Sequence, residues 1–139
     1  MTRINNNSSL IEPSGRALPE RALAGRIVGA FYDTYNELGY GLLESVYSAA
    51  LEIVLNERGH VVRREPALSV HFHGHVIGSF RADMIVDDRV VLEIKAGRVL
   101  AQGAQEQLIN YLRISQVEVG LLLFFGPRPE FSRRVLSRR

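Results

Sequence analysis

The sequence predicts one mixed α/β domain: a mixed β-sheet with helices on both faces. Three observations carry this. Helix-period and strand-period segments follow in the order helix, helix, three strands, helix, strand. The three middle strands are separated by loops only a few residues long, which join antiparallel neighbours. The last strand, residues 117–125, is a nearly continuous apolar run, the pattern of a strand covered on both sides. The helix before it supplies a crossover, so this strand lies parallel to an earlier one through a right-handed connection.

The first helix opens at Leu18-Pro19-Glu20, with proline in the first turn. Leu23, Ile27, Ala30, Phe31 and Tyr35 keep helical spacing, and Gly39 is the stop. After Gly39-Tyr40-Gly41, a second helix opens at Leu42 or Leu43 and runs to Arg58, closed by Gly59. Its apolar face is Leu43, Val46, Tyr47, Ala50, Leu51, Val54 and Leu55, and Glu44 in the first turn suits the helix dipole. Residues 61–72 and 75–86 form an antiparallel pair around His73-Gly74, with Pro66 at a bulge or edge. A third strand covers residues 89–95, and a helix covers residues 100–114 with Ala104, Leu108, Ile109 and Leu112 inward. Gln107 and Tyr111, four apart, share a face of that helix. Residues 131–136 form an edge strand or a last helical turn.

Composition narrows the function. At 139 residues and 46% hydrophobic content, the chain suits one domain with one core. Cysteine is absent, which excludes thiolate nucleophiles, thiolate metal sites and disulfides, and suits a reducing cytoplasm. No stretch approaches the roughly 20 apolar residues that span a bilayer, so no membrane partner is expected. Residues 1–17 read as a disordered leader, 18–126 as the domain, and 127–139 as a basic tail. The tail holds Arg128, Arg133, Arg134, Arg138 and Arg139 against Glu130, a local balance of +4; the remainder carries −2. Such a tail either holds phosphates or is simply solvated.

The charges on the second and third strands stand out. Asp83, Glu93 and Lys95 interrupt apolar runs, and Lys95 is the only lysine in the chain. Buried charges are costly unless paired or bound to a cation. A two-residue loop at Asp87-Asp88 would put Glu93 and Lys95 on the face of Phe80, Ala82, Met84 and Val86. A three-residue loop, Asp87-Asp88-Arg89, instead opposes Asp83 to Glu93. One face is then Phe80, Ala82, Met84, Val86, Val90, Leu92 and Ile94; the other is Arg81, Asp83, Ile85, Val91, Glu93 and Lys95, with the charges gathered at one end. The second register separates core from chemistry and is the one expected. Two opposed carboxylates repel, so the pair makes sense around a hard divalent cation, Mg²⁺ or Mn²⁺. A structural Asp–Lys or Glu–Lys pair on an open sheet face is the plainer reading of the same spacing.

Other clusters are weaker. His71, His73 and His75 surround a hairpin tip, and Arg58, Arg63 and Arg64 sit where a helix ends and a strand begins. No glycine-rich phosphate loop and no Ser–His–Asp arrangement is evident.

An acid followed on the next strand by Glu-x-Lys, here Asp83 and Glu93-Ile94-Lys95, resembles the PD-(D/E)XK nuclease superfamily. Gly41-Leu42-Leu43-Glu44-Ser45-Val46-Tyr47 resembles the signature of its GxxExxY branch. Gly78-Ser79-Phe80-Arg81-Ala82-Asp83, Val91-Leu92-Glu93-Ile94-Lys95-Ala96 and Gln107-Leu108-Ile109-Asn110-Tyr111-Leu112 resemble that branch in the same order. The resemblance implies a restriction-endonuclease-like α-β-β-β-α-β core. It implies Asp83, Glu93 and the Ile94 carbonyl as metal ligands, Glu44 as a further acid at the metal, and Lys95 as the catalytic lysine. Gln107 and Tyr111 would support the site from the following helix. Family members often carry a histidine where this chain has Ala104, and an asparagine near Phe124. The expected function is Mg²⁺-dependent hydrolysis of DNA or RNA, and cutting both strands would be easier for a homodimer. The alternatives are a catalytically inactive nucleic-acid-binding or scaffold protein that keeps the fold, and a small-molecule phosphatase.

Overall fold

The computed structural model describes residues 19–136; the leader expected over residues 1–17 lies outside them, as do Arg138 and Arg139. After a turn at Pro19 and Glu20, helix α1 spans Arg21–Leu38. Gly39 ends it at φ 77°, returning its N–H to the Tyr35 carbonyl at 2.7 Å. Helix α2 spans Glu44–Glu57, one or two residues later than its apolar face suggested.

The expected hairpin of residues 61–86 forms, but it is pinched. Strand β1 (Val62–Arg64) pairs with β4 (Met84–Val86), and β2 (Ala67–Phe72) pairs with β3 (His75–Arg81), in the same antiparallel register up to a bulge between Val70 and His71. Between the two halves Glu65 takes φ 50° before Pro66, and Ala82 and Asp83 leave the strand. A proline has no N–H for the ladder, so the sheet divides there. Its outer half, β2–β3, is a separate two-stranded sheet.

Strand β5 (Val90–Ala96) follows, then helix α3 (Ala104–Ile114), strand β6 (Val119–Phe125) and strand β7 (Pro129–Val135). The five-stranded sheet has the order β1-β4-β5-β6-β7, with β5 and β6 parallel and the other pairs antiparallel. The crossover and the covered central strand β6 stand as expected. Helix α3 begins four residues late, because residues 97–103 form a loop with Gly97 and Gly103 at positive φ. Of the two alternatives for residues 131–136 the edge strand forms, as β7 within the segment expected as a basic tail, and Arg133, Val135 and Leu136 are buried.

Helices α1 and α2 cover one face of the sheet, where Leu23, Ile27, Phe31, Tyr47 and Leu51 pack on Met84, Leu92, Ile94, Leu123 and Phe125. Helix α3 covers the other, where Leu108, Tyr111 and Leu112 pack with Ile85, Val91 and Leu122. Gly120 makes that second contact possible: a Cβ there would lie 2.6 Å from Leu108 Cδ1. Phe80 and Ala82 belong to the α3 side and Met84 to the other. The expected single apolar face from Phe80 to Ile94 is therefore corrected, because the break at Ala82–Asp83 turns the chain over.

Candidate active site

The β4–β5 register opposes Met84 to Leu92, Ile85 to Val91 and Val86 to Val90, across the three residues Asp87, Asp88 and Arg89. This is the three-residue connection expected from the charge pattern, with Asp87 and Asp88 at positive φ. One step beyond the ladder stand Asp83 and Glu93.

The strand break is what makes a site of them. A continued β4 would meet the Ile94 N–H with its own backbone. Since β4 begins only at Met84, the Asp83 carboxylate accepts that N–H instead, at 2.5 Å. In an antiparallel ladder a residue's N–H and C=O point the same way, so the Ile94 carbonyl also faces this gap. Glu93 stands beside it at 2% exposure, and its Oε1 is buried without a hydrogen-bond partner. Burial, and then the charge of Asp83, push the Glu93 carboxyl up to about 8, against the pull of Lys95. At neutral pH Glu93 is therefore held largely in its protonated form.

Lys95, two residues along the same face, is half-buried and directs Nζ toward Gln107 Oε1 at 3.4 Å. Tyr111, one turn on along α3, is 3% exposed. Burial raises its hydroxyl above the ordinary phenol range; Arg63 opposes the shift and Glu93 adds to it. The expected face of Gln107 and Tyr111 thus meets the carboxylate pair.

Glu44 is placed differently. It is the exposed first residue of α2, on the opposite side of the sheet from Glu93. Its helix starts where β5 and β6 end, because the Tyr47 ring stacks on Phe125, 4.1 Å between centroids. Among the described residues, no three acids or histidines converge closely enough to hold a metal. Asp83 and Glu93 come together, and Glu44 does not join them.

Several residues gained a role that periodicity alone did not suggest. Tyr47, read as a member of an apolar face, donates its hydroxyl to the Gly39 carbonyl at 2.5 Å and accepts the Leu42 N–H at 3.2 Å. It braces the turn that leads into Glu44, and its position three residues after Glu44 was the available signal. Arg58 and Arg64 are taken by Asp33 and Glu52, at 2.7 and 2.9 Å. Arg63 pairs with Asp88 at 2.8 Å on the exposed rim. The histidines surround a turn in which His73 and Gly74 both have positive φ, and all three are exposed.

A model of the PD-(D/E)XK nuclease superfamily matches residues 21–135, from the start of α1 to the end of β7. The chain belongs to this superfamily. The sheet, with helices on both faces, is the restriction-endonuclease-like arrangement of a superfamily member. A crystal structure of SSO0001 is similar over 86% of this chain, with a TM-score of 0.54 and 21% identity. This chain spans 61% of that one, and the likeness concerns the fold. No curated protein matches the sequence. The superfamily match takes in the carboxylate pair, Lys95 and Gln107. It also includes β7. No helix among the described residues is long and apolar enough to cross a membrane.

Proposed function

We propose that the protein is a metal-dependent nuclease, of the GxxExxY branch, that hydrolyses phosphodiester bonds in DNA or RNA. The observation that carries this reading is the buried, unpartnered Glu93 oxygen opposite Asp83, with the chain's one lysine beside it. An orphaned carboxylate oxygen in a protein interior is expensive. An all-oxygen donor set next to it fits a hard divalent cation better than zinc. Asp83, Glu93 and the Ile94 carbonyl would hold Mg²⁺ or Mn²⁺. When bound, the cation supplies Lewis-acid polarisation of a phosphoryl oxygen and an acidified water.

The chain's own groups do the rest. The Ile94 N–H fixes one oxygen of Asp83 and leaves the other for the site. Lys95 places a compact positive charge beside the substrate phosphate and stabilises negative charge that develops there. Gln107 orients that ammonium, and the packed Tyr111 ring keeps water from the back of Glu93.

The reading is tested by incubating labelled DNA and RNA oligonucleotides with Mg²⁺ or Mn²⁺. Cleavage is expected, with a loss of about a hundredfold or more in Lys95→Ala and Asp83→Ala. Protein that cuts neither nucleic acid with either metal defeats it. A non-catalytic nucleic-acid-binding or scaffold role has one observation in its favour: Ala104 is buried among apolar groups where family members often carry a histidine. Salt-dependent binding without turnover, unchanged by both substitutions, would establish that role instead.

A further inference from the structure

Beyond the start of α3, on the face that carries Lys95, lies a cavity of about 390 Å³. Its walls include Arg98 and Leu100 from the β5–α3 loop, Leu122 and Phe124 from β6, and Glu130 and Ser132 from β7. The volume falls within the range of roughly 300–1,000 Å³ typical of sites for small organic groups. Apolar walls with a few polar groups match a nucleobase, which has flat apolar faces and an edge of donors and acceptors. Gln105 lies against this wall, donating Nε2 to Ser132 Oγ at 2.9 Å, and its Oε1 is buried without a partner.

The cavity's position relative to Lys95 gives it meaning. Helix α3 crosses β6 with Leu108 over Gly120, so its two glutamines reach opposite sides. Gln107 reaches Lys95 on β5, and Gln105 reaches Ser132 on β7. Lys95 and Phe124 are register partners on neighbouring parallel strands, about 4.8 Å apart. A phosphate held at Lys95 therefore lies one strand spacing from the cavity, within the span of a single nucleotide.

We propose that this cavity binds the base of the nucleotide next to the scissile phosphate, which makes the substrate single-stranded or locally unpaired nucleic acid. A base stacked and paired in a duplex cannot enter such a recess without being turned out. The proposal rests on the nuclease reading above and names the substrate class of that site.

Two measurements on the full chain test it. The first compares kcat/KM on a single-stranded oligonucleotide and on the same sequence as a blunt duplex, with Mn²⁺. The single strand is expected to be cut about tenfold faster or more. That ratio should fall toward one in Ser132→Phe, which fills the cavity, and in the exposed-loop variant Arg98→Ala, which leaves the core untouched. Equal cutting of both substrates, or a ratio unchanged in both variants, overturns the proposal and leaves the nuclease reading intact. The second scans 2-aminopurine along a bound oligonucleotide, using the Lys95→Ala protein. A fluorescence change confined to one position beside the cut supports the cavity as its seat; no position-dependent change overturns it. If the wild-type protein cuts nothing, the nuclease reading fails. The same scan with wild-type protein then judges the cavity separately, one responsive position supporting base capture and none refuting it.

Discussion

Asp83 and Glu93 face each other one step beyond the last β4–β5 pair, and the backbone N–H of Ile94 holds the Asp83 carboxylate where a strand would otherwise have continued. The site is therefore the consequence of a strand that stops. Both its charge and its accessibility come from the break at Ala82 and Asp83.

The first prediction concerns pH. Burial and the neighbouring Asp83 charge raise the folded-state pKa of Glu93 to about 8, above its ordinary carboxyl value. The folded protein then holds a proton that the unfolded chain releases. Stability from this group is fully present below the ordinary carboxyl pKa and is lost as pH rises through about 8. Thermal unfolding in EDTA should show a falling midpoint across that window. Glu93→Gln, which keeps the shape and removes the titration, should flatten the fall.

Divalent cations should reverse the trend. A cation that binds only the folded state stabilises it by about 2.7 kcal/mol at one hundred times its Kd. Mg²⁺ or Mn²⁺ should raise the midpoint of the wild-type protein, more strongly toward pH 8 as the Glu93 proton is lost. Asp83→Asn and Glu93→Gln should lose most of this gain, which differential scanning calorimetry would measure.

Much of this was legible beforehand, and the reason is local. Opposed strands must put like faces together, so three charges among β-branched residues determine one register, and Asp83 meets Glu93 in the structure as that argument required. Glycine stops and the apolar run of β6 are equally local signals. The losses came where tertiary contacts decide. Pro66 was visible, but not that Glu65 and Asp83 would flip the chain and send Phe80 and Met84 to opposite faces. Residues 131–136 left an edge strand and a helical turn open within an arginine-rich segment, and pairing with β6, which covers Arg133 and Val135, decides for the strand. Glu44 lies on a different layer from the pair, a distance that no spacing along the chain encodes.

Gly120→Ala should disturb the site from below. The new Cβ would lie 2.6 Å from Cδ1 and 3.1 Å from Cγ of Leu108, a side chain with no exposed surface into which to swing. Overpacking of this kind costs about 1–3 kcal/mol. Urea denaturation should show that loss. Activity should fall further than stability alone explains, because lifting α3 separates Gln107 from Lys95.

Tyr47→Phe should leave the core packed while releasing the turn before Glu44. The ring and its stacking on Phe125 remain, but the Gly39 carbonyl and Leu42 N–H lose their shared partner. A cost of about 1–2 kcal/mol is expected. Hydrogen exchange should quicken at Leu42 more than within α2; equal protection in both proteins would show that the hydroxyl does not brace the turn.

The central claim is that Asp83 and Glu93 form the seat of a divalent cation. A crystal soaked in Mn²⁺, with data collected at the manganese edge, tests it most directly. The account predicts one strong anomalous peak between the two carboxylates, at about 2.0–2.2 Å from an oxygen of each. Data with no peak there, and with Glu93 Oε1 still unpartnered at saturating Mn²⁺, would contradict it.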